Sequence, residues 1–86
     1  MTRTTRTKIL HYYAVFEPAQ EGGYNVSFPS FPGCVTFGRN FEQAQRMAQE
    51  VLELWLEEFR ESNETIPTYS RHLIVDEIPV KVPAKR

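Results

Sequence analysis

A seven-residue corner, Phe28–Cys34, constrains the fold of this chain more than any other segment. Pro29 and Pro32 each restrain the preceding residue to extended geometry, and Gly33 adds the freedom that a sharp change of direction needs. The corner joins two short apolar runs of strand-like composition, and it contains no acid, base or cluster of metal ligands. It therefore predicts a structural element that supports a surface, and it does not point to catalysis.

Three strands are predicted around this corner. The first is Ile9–Phe16, which is apolar on both faces and is expected inside the sheet. The second is Tyr24–Phe28, which alternates apolar and polar residues, and the third is Val35–Phe37, which ends at Gly38. The pair Gly22–Gly23 supplies the positive φ of a tight reversal, so the strands should form an antiparallel meander.

A long amphipathic helix is predicted from Phe41 to about Glu61. Asn40 is a suitable N-cap, and Gln43 gives a weak version of the capping box. The apolar arc of this helix spans roughly 200°, which is more than one sheet contact requires. Either the sheet or the terminal segment covers the surplus, or a second subunit does. The main stripe consists of Phe41, Ala44, Ala48, Val51, Leu52, Trp55 and Phe59.

The residues after the helix predict one further strand, formed by Leu73, Val75 and Ile78. Pro79 suits an edge position there, because proline cannot donate to a ladder. The predicted fold class is therefore α+β: a three-stranded antiparallel meander, one long helix, then a further strand (β-β-β-α-β).

Charge is segregated along the chain, although the formal net charge is only −1. Residues 1–8 are predicted to form a flexible basic arm and residues 83–86 a basic tail, on either side of a single domain at residues 9–82. Between residues 9 and 80, four arginines stand against all eleven acids, a net of −7. Such a body favours a basic protein partner over nucleic acid, although a solvated acidic face is an equally good reading. The basic ends can touch phosphates non-specifically.

Few residues are candidates for chemistry. His11, His72 and the single cysteine, Cys34, each lie in an apolar context, which predicts non-catalytic side chains and no intrachain disulfide. Several carboxylates form a row on one face of the helix, whereas a magnesium site needs acids from different elements that converge on one point. We therefore expect no catalytic residue, metal or cofactor. The row consists of Glu50, Glu53, Glu57 and Glu61.

The sequence predicts a cytoplasmic protein. It opens with no signal-peptide pattern, and no apolar run approaches the ~20 residues that a membrane span needs. A domain of 86 residues gains stability by association, so a homo-oligomer is also expected.

The corner and its surroundings resemble the HicB-like antitoxin family over about residues 9–82, in a short form without a C-terminal DNA-binding domain. The resemblance implies a β-β-β-α-β unit like a partial ribonuclease H domain that lacks the full carboxylate set of that enzyme. Two departures are Ser30, where the family commonly has an acid, and Arg39–Asn40, where an acid and a threonine or serine are frequent. The matching features are Tyr24–Phe28, the corner, Gly38, Glu42–Gln43–Ala44 with Ala48, and Ile66–Pro67.

The same resemblance implies a function. HicB-like proteins bind and neutralise a small basic toxin, HicA, which is an mRNA-cleaving ribonuclease. This chain is accordingly expected to be a non-catalytic antitoxin that occludes the active surface of such a toxin, with Glu50, Glu53 and Glu57 as candidate contacts. The alternatives are a nucleic-acid-associated protein, a weak metal-dependent nuclease of ribonuclease H-like descent, or an oligomeric scaffold without a toxin. The residues expected to hold the fold are Phe28, Pro29, Phe31, Pro32, Gly33 and Gly38 at the corner, with Trp55 and Phe59 in the core.

Overall fold

The computed structural model describes residues 8–68 and 73–84. Three short strands, β1 (Val15–Pro18), β2 (Tyr24–Ser27) and β3 (Val35–Gly38), form an antiparallel sheet in the order β1-β2-β3. One helix, α1 (Phe41–Glu61), follows and packs on one face of the sheet. The predicted meander and long helix are confirmed. The predicted arm (but for Lys8) and the last two residues of the predicted tail lie outside the described residues.

β1 is shorter than predicted and lies nearer the reversal. The run Ile9–Phe16 was expected to be a strand, but residues 9–14 are not part of the ladder. Val15 pairs with Ser27, the last residue of β2 before the chain turns into the corner. Residues 9–14 extend past that point, so they have no ladder partner among the described residues. β1 also lies at an edge of the three-stranded sheet and not inside it, which corrects the expectation drawn from its two apolar faces.

The reversal between β1 and β2 lies where the two glycines predict it. The Ala19 amide donates to the Gly23 carbonyl at 2.8 Å, and the Gly22 amide donates to the Ala19 carbonyl at 3.0 Å. Gly22 and Gly23 have φ values of +104° and +82°, a region that residues with a Cβ rarely adopt. The hairpin therefore depends on glycine at both positions.

The corner consists of two successive hydrogen-bonded turns. The Phe31 amide donates to the Phe28 carbonyl, and the Cys34 amide donates to the Phe31 carbonyl, both at 3.0 Å. Each turn returns the chain to the core, so Phe28, Phe31 and Cys34 are all buried. Gly33, at φ +90°, makes the second turn possible.

α1 begins with the predicted cap. The Asn40 Oδ1 accepts a hydrogen bond from the Gln43 amide at 2.8 Å. Gln43 Oε1 in turn accepts from the Arg39 amide at 2.7 Å, one residue before the position that a capping box uses. The first bond satisfies a backbone donor that the helix start would otherwise leave open, and the second holds the residue just before the cap.

Phe31 lies at the centre of the core between sheet and helix. Its ring is 1% exposed, and it meets Tyr12, Phe59 and Trp55 edge-on, at centroid distances of 4.9, 5.8 and 6.2 Å. Such edge-to-face pairs are favourable beyond the area that they bury. The fully buried set is Val26, Phe28, Phe31, Cys34, Ala44 and Ala48.

The further strand predicted after the helix is not formed within residues 73–84, which contain no turn or bend and belong to no ladder. Its apolar side chains from Ile74 to Val82 are 72–84% exposed. The radius of gyration is 17.7 Å, with a long axis of 78 Å, whereas a compact domain of this length would have about 12 Å. The exposed apolar side chains of residues 74–82 show that this segment does not pack on the sheet. Residues 69–72 lie outside the described residues.

Candidate partner-binding surface

The predicted acidic row lies on the side of α1 that faces away from the sheet. Glu50, Glu53 and Glu57 are all exposed. Glu53 accepts a hydrogen bond from Gln49 Nε2 at 3.2 Å. Because glutamine is neutral, this bond leaves the charge of the carboxylate in place. No basic side chain of residues 8–68 or 73–84 forms an ion pair with these carboxylates. The row is therefore an exposed set of carboxylates without an ion pair among the described residues.

An apolar groove runs beside this row on the C-terminal half of the helix. We call it the helix groove; its floor is Val51, Leu54, Trp55 and Phe59, and it is an open depression of about 520 Å³. Leu54 is 63% exposed, although it lies in the middle of a helix. The described part of the terminal segment does not line the groove, which leaves part of the wide apolar arc in solvent.

The rim of the helix groove is acidic. It is formed by Glu57, Glu58, Ser62 and Glu64. Of the three candidate contacts predicted from the sequence, Glu57 lines the groove, whereas Glu50 and Glu53 are exposed on the helix and do not line it. Sequence reasoning did not select Glu58 and Glu64. Glu58 follows Leu54 by one helical turn, and that spacing was the available signal.

Glu64 reaches the rim because the chain reverses at the end of the helix. Asn63 has a φ of +58°, the left-handed conformation that commonly ends helices. The Glu64 amide then donates to the Phe59 carbonyl at 2.9 Å, and the Ser62 amide donates to the Glu58 carbonyl at 3.0 Å. This cap brings Glu64 back alongside the last turn.

A second apolar surface lies on the face of the sheet opposite the helix, which we call the outer sheet face. Directly paired residues share a face, and Thr36 pairs with Val26 on the helix side. Val35 and Phe37 therefore point away from the helix, and both are exposed. Together with Glu17, Asn25 and Ser27 they line a shallow depression of about 500 Å³.

The corner residues divide into an inner and an outer set. Phe28 and Phe31 are buried, whereas Pro29, Pro32 and Gly33 are exposed. Gly38, at the end of β3, is buried. Trp55 and Phe59, expected in the core, are half-buried, because one side of each forms the floor of the helix groove.

The described residues bring no group of catalytic character together. Burial raises the pKa of the Cys34 thiol, which disfavours the nucleophilic thiolate. Within residues 8–68 and 73–84 no cluster of three or more histidine, cysteine or acidic side chains could hold a metal ion. His11 is exposed, and His72 lies outside the described residues. In the part of the chain that the structure describes, no helix is both long and apolar enough to cross a membrane.

Comparison with known proteins connects this arrangement to one family. The model of a family described as the HicB-like antitoxin of bacterial toxin–antitoxin systems matches residues 12–78. "Antitoxin HicB 1" of Photorhabdus laumondii is 43% identical over 60 residues, which are 70% of this chain and 39% of that protein. "Antitoxin HicB" of Escherichia coli is 34% identical over 79 residues, or 88% and 57% of the two chains.

A UPF0150 protein of Synechocystis is 30% identical over 78 residues, which cover 91% of this chain and 96% of that protein. The chain thus spans 39–57% of the two HicB antitoxins but nearly all of the shorter UPF0150 protein. The matched region contains the corner, all three strands and the helix. The chain belongs to the HicB-like antitoxin family.

Proposed function

We propose that this chain is a non-catalytic antitoxin that binds a small basic toxin of the HicA type, an mRNA-cleaving ribonuclease, and covers its active surface. The family supports the antitoxin role, and the acidic rim of the helix groove supports a basic partner. An mRNA-cleaving partner would place the complex in the cytoplasm.

The observation that carries this proposal is the combination of an exposed apolar floor and an acidic rim in the helix groove. Charges at the edge of an interface mainly accelerate encounter and set its salt dependence. Large apolar side chains at the centre of an interface supply most of the affinity. In this chain Leu54 and Trp55 hold the central position, and Glu57, Glu58 and Glu64 surround them.

The proposed mechanism is occlusion. The toxin's RNA-binding or catalytic surface must itself be basic to bind RNA, so an acidic groove competes for the same charges. Neutralisation of this kind requires no bond to be made or broken by the antitoxin.

The test uses any small basic protein encoded next to this chain and measures whether this chain inhibits RNA cleavage by that protein. The wild-type chain should bind the toxin and block cleavage stoichiometrically. Leu54→Ser should raise the dissociation constant at least about tenfold through faster dissociation. The triple variant E57Q/E58Q/E64Q, which removes the acids of the rim, should instead slow association about tenfold and flatten its salt dependence.

Glu42→Gln is the matched control, because Glu42 is an exposed acid on the first turn of the same helix, far from the groove. Glu42→Gln should leave the dissociation constant and the association and dissociation rates within about twofold of the wild type. If both test variants behave like this control, the helix groove is not the contact surface. If the wild-type chain fails to inhibit, or itself cleaves RNA with magnesium, the antitoxin proposal is wrong.

A further inference from the structure

Residues 73–82 have the composition of a strand but no partner in the described chain. Ile74, Val75, Ile78, Val80 and Val82 are β-branched and almost fully exposed. The only hydrogen bond recorded within this stretch is local, from the Glu77 amide to Asp76 Oδ1 at 2.7 Å. Ten extended residues span about 33 Å, so the segment presents a long row of free backbone donors and acceptors.

The two prolines make this segment able to pair along one side only. In an extended chain, the amides of alternate residues point to opposite edges. Pro79 and Pro83 are both odd-numbered, so they remove donors from the same edge. The opposite edge keeps every donor, and the residues that supply them are Ile74, Asp76, Ile78, Val80 and Val82.

The sheet offers one edge of matching length. β3 is only four residues long, and the corner and the helix bound it on either side. On the other edge, β1 is preceded by residues 9–14, which contain no turn or bend, so a run without a reversal reaches from Ile9 to Pro18. Ile9, Leu10, Tyr13 and Val15 are exposed along this run, as expected of a strand that lacks a neighbour.

The chain that leaves the helix passes close to this edge. The Tyr12 hydroxyl donates to the Pro67 carbonyl at 2.5 Å, so residues just beyond the helix lie beside the run 9–18. Beyond that point the apolar side chains of residues 74–82 are exposed, and no strand of the described chain pairs with them. An exposed, unpaired strand-like segment is available to a second copy, and a reciprocal exchange between two copies gives a closed dimer.

We propose that residues 73–82 of each chain add as a β-strand to the edge formed by residues 9–18 of a second copy, and that this exchange makes the protein a two-fold symmetric dimer. The dimer contact lies on the sheet edge and does not use the helix groove. It is therefore independent of the proposed toxin contact.

Two adjacent acids provide a matched pair of variants. Asp76→Pro removes a donor from the edge proposed to pair, whereas Glu77→Pro removes one from the edge that Pro79 and Pro83 already interrupt. Both changes remove one exposed carboxylate, and both abolish the local Asp76–Glu77 hydrogen bond. Neither touches the core, so circular dichroism should show native helix content in both.

Sedimentation equilibrium should show a dimer for the wild-type chain. Asp76→Pro should raise the dimer dissociation constant at least about tenfold, and Glu77→Pro should leave it within about threefold. Equal effects of the two substitutions, or a wild-type chain that stays monomeric, would overturn the proposal.

A mixture of deuterated and protonated chains then identifies which copy supplies the strand. Nuclear Overhauser effects should connect amides of residues 9–16 in the deuterated chain with aliphatic protons of residues 74–82 in the protonated chain. If these contacts appear only within one chain, the strand folds back on its own sheet and the exchange does not occur.

Discussion

Gly38 and Ala44 lie so close that no side chain fits between them. A Cβ built on Gly38 would overlap the backbone nitrogen and Cα of Ala44 and would lie 2.8 Å from its Cβ. Ala44 is fully buried in the first turn of the helix. The end of β3 therefore determines how closely α1 approaches the sheet.

Gly38→Ala should destabilise the protein by about 3 kcal/mol or more, because the helix backbone must move to admit the methyl group. Gly22→Ala is the control: φ at Gly22 is +104°, but nothing lies within 4 Å of a Cβ there. That change should cost only about 1–2 kcal/mol of conformational strain. Urea unfolding measures both, and equal costs would show that the helix can shift freely.

Phe31→Leu should lower the free energy of unfolding by about 1–2 kcal/mol, since it removes three edge-to-face ring contacts from a closed site. Phe37→Leu is the matched change on the outer sheet face, where the ring is exposed. It should stay within about 0.5 kcal/mol of the wild type. If the free energy of unfolding falls more at position 37 than at position 31, the main core lies on the outer sheet face and not on the helix side.

Tyr12→Phe should cost about 1 kcal/mol, because it removes the hydrogen bond to the Pro67 carbonyl and keeps the ring. The neighbouring Tyr13 is exposed and makes no recorded side-chain hydrogen bond within residues 8–68 and 73–84, so Tyr13→Phe is the control. It should change stability by less than about 0.5 kcal/mol. Hydrogen exchange at residues 64–68 should accelerate in the first variant only.

Stability should fall as the solution becomes alkaline. Burial raises the pKa of the Cys34 thiol above its ordinary 9.0 and the pKa of the Tyr12 hydroxyl above its ordinary 10.0. The unfolded chain therefore loses these protons first, so both contributions are complete below about pH 8 and are lost as pH rises through and beyond 9–10.

Urea unfolding between about pH 7 and 10.5 checks this dependence. Cys34→Ala should remove the earlier part of the decline, and Tyr12→Phe the later part. If the free energy of unfolding of the wild type stays constant or rises across that range, the alkaline loss of stability is wrongly assigned to Cys34 and Tyr12.

The helix was predictable because its signals are local. Asn40, Gln43 and the apolar period act within one or two turns, and the structure places the helix where they indicate. The reversal at Gly22–Gly23 was predictable for the same reason, since positive φ depends on the residue itself. The strands were harder to predict. Pairing of β1 stops where β2 ends, and the position of the corner sets the end of β2.

The candidate surface was only partly predictable. Glu57 could be placed from helical spacing, but Glu64 reaches the groove only through the reversal at Asn63. Val35 and Phe37 are apolar yet point away from the helix, because the pairing of Thr36 with Val26 fixes which side each residue faces. Register is a property of two strands together, so composition of one strand cannot supply it.

The positions of Pro79 and Pro83 also bear on how growth of a sheet stops. A strand with donors on both edges can be added to a sheet and can then accept the next strand, which is the route to open fibres. With both prolines on one edge, residues 73–82 can complete a sheet but present an interrupted edge to any further chain. The segment thus combines an exposed apolar composition with protection against polymerisation.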